Sequence, residues 1–110
     1  MKTIYAGIII IFTITLLFTN CSKDNDAPET EKVTYNNKIK DIIDANCISC
    51  HASPPQNGAP FSLTTYADVK DKSAEILNAV KTGKMPPYGE LSQTTIDAIQ
   101  QWIDDGKLEK

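Results

Sequence analysis

The sequence predicts one all-α domain of three to five helices. Three observations carry that expectation. Apolar residues recur at helical spacing in several stretches, no alternating run is long enough for a sheet, and two Pro-rich loops separate the helical segments. The 110 residues have room for one small domain, and 41% apolar with 23% charged residues are globular proportions. Eleven lysines, no arginine and 14 acids give a net charge of −3. That balance argues against a nucleic-acid binder, whose footprint is a basic face.

Met1-Lys2-Thr3 is a short positive start, and residues 4–18 are an apolar run of 15 residues. A spanning helix needs about 20, so the run suits the apolar region of a signal peptide over residues 1–20. Cys21 follows directly. Leu16-Leu17-Phe18-Thr19-Asn20-Cys21 resembles a bacterial lipoprotein lipobox, with Thr and Asn in place of the usual small pair. Ser22-Lys23-Asp24-Asn25-Asp26 is similar to the acidic export signal of Bacteroidota surface lipoproteins. The resemblance implies that Cys21 is the lipidated first residue of a mature chain. It places the domain at the cell envelope, at the outer membrane on either its periplasmic face or the cell surface. An uncleaved apolar anchor with an incidental cysteine is the other reading. Residues 21–33 hold little to bury and read as a flexible tether behind Cys21. The folded unit is then residues 34–110, a size at which a core is marginal without a staple.

Within that unit Tyr35, Ile39, Ile42, Ile43 and Ala45 share one helical face, with Thr34 or Asn36 as cap. Residues 52–60, with three prolines, are a loop. Thr64 or Thr65 caps a brief helix through Tyr66 and Val69. Ser73 opens another, with Ile76, Leu77 and Val80 inward and Gly83 ending it. Lys84-Met85-Pro86-Pro87-Tyr88-Gly89 is the second irregular loop. Ser92 caps the last helix, between the staple residues Leu91 and Ile96; Ile96, Ile99, Trp102 and Ile103 form its inward stripe, and Gly106 stops it.

The chemistry lies in Cys47-Ile48-Ser49-Cys50-His51, the attachment signature of c-type haem. Two thiols three residues apart lie on one side of a helical turn and each can add across one porphyrin vinyl group. The histidine after them is held beneath the ring. Three other readings stand beside it: a redox disulfide, which usually sits in a βαβ setting; half a zinc site; and a structural disulfide with a bystander histidine. A second axial ligand cannot be another histidine of this chain, since His51 is its single one. Met85, 34 residues on, is the one methionine left after cleavage, and two prolines stiffen its loop. A lone methionine is ordinarily core filler, but His/Met ligation is a usual arrangement in cytochromes c. Lys84 is the fallback ligand.

These residues, with Phe61-Ser62-Leu63-Thr64-Thr65-Tyr66, Gly83-Lys84-Met85-Pro86-Pro87 and Trp102-Ile103-Asp104-Asp105-Gly106, resemble a class I cytochrome c. More narrowly they look like the small planctomycete-type haem domain. The resemblance implies one covalently bound haem c, on Cys47 and Cys50, with His51 and Met85 as axial ligands of the iron. It implies a first helix (Ile39, Ile43) crossing the last (Ile99, Trp102), and a carbonyl near Pro60 accepting from His51. Leu63, Tyr66, Ile76, Leu77 and Val80 are the candidate haem walls. The function implied is a lipid-anchored carrier of single electrons, not an enzyme and without a small-molecule substrate. A gas or redox sensor, or a small peroxidase with a displaceable Met85, is the alternative; an accessory module with a structural haem is a third reading. The mature chain has 10 lysines and 14 acids, net −4, or about −6 with both haem propionates ionised, which favours redox partner proteins with a basic docking patch. Lys81 and Lys84 are the local exception.

Mass spectrometry of the mature N-terminus is expected to find an acylated Cys21. An unmodified thiol there contradicts the lipoprotein expectation.

Overall fold

A computed structural model describes residues 31–110 of the chain. The signal peptide expected over residues 1–20, Cys21 and most of the tether lie outside the described residues. Thr34 is extended, and its side chain accepts a hydrogen bond from the Asn37 amide while the Asn37 side chain accepts from the Thr34 amide. This is a capping box with asparagine as the returning partner. The turn that follows, Tyr35–Ile39, is wound wide: the Ile39 amide donates to Thr34 O, five residues back, at 3.2 Å. Helix α1, Lys40–Asn46, continues from it. Tyr35, Ile39, Ile42 and Ile43 face inward as expected, whereas Ala45 is exposed.

Helix α2, Tyr66–Asp71, is capped by Thr65, whose hydroxyl accepts from the Asp68 amide while the Asp68 carboxylate accepts from the Thr65 amide. Only Lys72 separates it from α3, Ser73–Lys81. Ser73 does not cap α3. Its buried hydroxyl instead donates to Lys70 O at 2.9 Å, stitching the two helices together. Helix α4, Gln93–Asp104, starts at Ser92, whose side chain accepts from the Thr95 amide. Among the described residues there are these helices and no strand, so the all-α expectation holds.

The turn at Tyr35–Ile39 packs on α4, and α3 packs on α4 from another side. Trp102 is fully buried in this core beside Ile39, Ile43, Ile99 and Val69. The Tyr35 ring lies 5.4 Å from that of Tyr66 and 6.4 Å from that of Trp102. After α4 the backbone reverses through Gly106 (φ 93°) and Lys107 (φ 58°). The Gly106 amide donates to Ile103 O and the Lys107 amide to Trp102 O, closing the last turn of the helix. Residues 107–109 then run back as a strap. Leu108 O accepts from the Tyr35 amide and from the Trp102 indole, both at 2.8 Å. Glu109 O accepts from the Asn36 amide, and Lys107 O from the Tyr66 hydroxyl. A helix start leaves its first amides without internal partners; here the far end of the chain supplies them.

Replacing Ser92 with Ala is expected to lower unfolding stability by about 1 kcal/mol in chemical denaturation, the usual worth of a serine N-cap. An unchanged midpoint contradicts the capping role.

Candidate functional site

Helix α1 does not stop cleanly; it runs on into an irregular turn, where the Ile48 amide reaches five residues back to Ile43 O. The Asn46 side chain turns back to Ile42 O at 2.8 Å, and the Cys47 amide donates to Ile43 O. The amides of Cys50 and His51 both reach Cys47 O, at 3.2 and 2.9 Å. One compact turn therefore presents Cys47, Cys50 and His51 together. The two sulfurs are not bonded to each other. Burial pushes the Cys47 thiol up to about 11, so it is protonated at neutral pH. Asn57 Nδ2 donates weakly to Cys50 Sγ at 3.6 Å.

His51 is buried and held by residues 61–63. Its carbonyl accepts from the Leu63 amide at 2.8 Å, and its Nδ1 lies 2.8 Å from Phe61 O. A carbonyl can only accept, so Nδ1 carries a proton and donates, and in the neutral ring the lone pair is then on Nε2. The acceptor expected near Pro60 is thus the next residue, Phe61, whose ring also lies 4.9 Å from the imidazole. Ser62 Oγ donates to Ala52 O at 2.7 Å and closes the base of the intervening loop.

Met85 comes from the loop that follows α3. Helix α3 ends at Gly83 (φ 67°), with the Gly83 amide on Val80 O and the Lys84 amide on Ala79 O, a glycine-terminated cap. The Met85 amide also donates to Ala79 O, at 3.2 Å, so the loop leaves the helix along a fixed path. The Met85 side chain is partly exposed.

Cys47, Cys50, His51 and Met85 line a single cavity of about 310 Å³. Of the candidate walls, Leu63, Ile76 and Val80 line this cavity; Pro60 and Lys84 line it too. Tyr66 and Leu77 do not. Helix α2 is six residues long, too short for periodicity to set its face, and the Tyr66 hydroxyl is drawn to Lys107 O with its ring on Tyr35. Leu77 follows Ile76, and a helix turns about 100° per residue, so the two point apart. Leu77 packs at the core edge instead. The sequence reading missed Phe61 and Tyr88, both of which line the cavity. Neither sits in a periodic pattern that would mark it.

Two thiols on one turn, an imidazole with an unprotonated nitrogen and a thioether around one largely apolar cavity fit a covalently attached haem. Among the described residues no three His, Cys, Asp or Glu side chains cluster to hold a metal ion, so a zinc site lacks its other ligands. Cys47→Ala/Cys50→Ala protein, unable to hold haem, is expected to lose cooperative folding, because the cavity walls then have nothing to pack against. A sharp thermal transition in that variant contradicts this.

Residues 36–103 match the family model described as cytochrome c oxidase, cbb3-type, subunit III. No curated protein and no solved structure matches the chain. The matched span runs from the first turn to the last residues of α4 and includes the turn of Cys47, Cys50 and His51. With that turn and its cavity, the match makes the cofactor a covalently bound haem c and the partners redox proteins. The chain belongs to this family, and its folded part is a c-type cytochrome domain of class I.

Proposed function

We propose that this chain is a lipid-anchored monohaem cytochrome that carries single electrons at the cell envelope, with His51 and Met85 as the axial ligands. The observation that carries the reading is the convergence of Cys47, Cys50, His51 and Met85 on one cavity. Cys47 and Cys50 would hold the group by thioether bonds. His51, with Nδ1 engaged by Phe61 O, offers Nε2 to the iron, and the hydrogen bond fixes the ring and raises its basicity. Met85 offers a neutral, soft sulfur, which favours the reduced state and raises the potential. Bound there, haem supplies one reversible electron at its iron.

Were His51 and Met85 both to hold the iron, they would leave no open position for a substrate, and electron exchange would be the chemistry the group supplies. The Gly83-Lys84-Met85-Pro86-Pro87 sequence supports the narrower assignment to the planctomycete-type domain. Lipid on Cys21, with residues 21–33 as tether, would keep the domain near a membrane while leaving it free to meet partners. The net charge of −4 after cleavage favours partners with a basic patch, met through steered, salt-sensitive encounter.

The oxidised holoprotein is expected to show the weak long-wavelength sulfur-to-iron charge-transfer band. Met85→Ala should abolish that band, lower the reduction potential and open the reduced protein to carbon monoxide. A wild-type spectrum without the band, or ready carbon monoxide binding by the reduced wild type, overturns the ligation and favours a sensor or peroxidase.

A further inference from the structure

Tyr88 has no part in the ligation, yet its position is specific. It is a large aromatic, 66% exposed, in the loop between α3 and α4. It lines the same cavity as Met85, and its hydroxyl donates to Asn46 O at 2.9 Å, across 42 residues of sequence. Asn46 is the last residue of α1 and directly precedes Cys47. Its carbonyl is one of those a helix leaves unpaired at its C-terminal end, and no main-chain amide among the described residues takes it. The Asn46 side chain is engaged by Ile42 O, so the acceptor is itself fixed.

The rest of the Met85 loop is anchored on one side only. The amides of Lys84 and Met85 reach Ala79 O at its start, and the Gly89 amide makes a local bond to Pro86 O at 3.4 Å. Of the loop's hydrogen bonds among the described residues, only that of Tyr88 reaches the wall that carries Cys47, Cys50 and His51.

We propose that Tyr88 is a positioning residue, a latch that holds the Met85 loop to the end of α1 and slows departure of the Met85 sulfur from the iron. The inference rests on the His51/Met85 ligation. For Met85 to leave, the loop must swing away from α1, and that motion breaks the bond from Tyr88 to Asn46. Losing one bond of ordinary net strength should speed the departure roughly twofold to tenfold.

The test uses the oxidised holoprotein and free imidazole, at concentrations where release of the methionine limits uptake. Tyr88→Phe removes the hydroxyl alone. It is expected to keep the resting sulfur-to-iron band and to take up imidazole roughly twofold to tenfold faster than wild type. Tyr66→Phe is the control: it removes a hydroxyl-to-carbonyl bond of the same kind, 2.8 Å to Lys107 O, outside the cavity. It should lower the thermal midpoint and leave imidazole uptake unchanged. Uptake by Tyr88→Phe at the wild-type rate overturns the latch while leaving the ligation intact. Equal acceleration by Tyr66→Phe also overturns it, since the effect is then general loosening. A wild-type protein without the band overturns the ligation itself, and the latch with it.

Discussion

The hydrogen bond from His51 Nδ1 to Phe61 O is the contact on which the site depends. It fixes the tautomer, because the acceptor cannot donate, and it turns the other nitrogen into the one available base on the ring. It also fixes the ring's place, since His51 is tied through its amide to Cys47 O and through its carbonyl to Leu63. The loop of residues 52–60 has few bonds of its own, but its two ends meet at this histidine. The proline-rich composition of that loop is therefore compatible with a fixed site: its stem is bonded at residues 51–52 and 61–63, and its middle is tied back by the Gln56 amide, which donates to Cys50 O at 2.7 Å.

The second constraint is size. A folded unit this small cannot spread its core widely, and it concentrates burial on Trp102, Ile99, Ile39 and Ile43 where the first turn meets α4. The polar edges of that contact are closed by the strap of residues 107–109, whose three carbonyls accept from Tyr66, Tyr35, Trp102 and Asn36. Core and cavity share walls. Leu63, Ile76 and Val80 belong to the buried core and also line the cavity, so haem bound there would complete the packing of both.

Much of this was legible along the chain. Thr65 and Ser92 cap their helices because a cap is a local device, set by one side chain and an amide three residues on. The α4 stripe runs over 12 residues, long enough for its period to show which side is inward. Cys47, Cys50 and His51 announce themselves by spacing alone. The side to which Tyr66 turns is not legible, because nothing in a six-residue helix reveals which way an amphipathic ring points. Tyr88 and the strap were not visible at all. Each depends on a main-chain carbonyl brought from a distant part of the chain, and carbonyls carry no signature in a sequence. The wide turn at Tyr35–Ile39 was hidden for the same reason: its start is completed by Leu108 and Glu109, not by nearby residues.

The strap has a mechanical consequence. The amides of residues 35 and 36 are held by the main chain of residues 108 and 109. A pull on the segment ahead of Thr34, where any tether would transmit tension, falls first on two hydrogen bonds and the buried indole behind them. The haem cavity, formed by the far end of α1 and by the loops, lies further along the force path. Under load the domain should give way first where its two ends are joined, leaving the redox centre shielded until that joint parts.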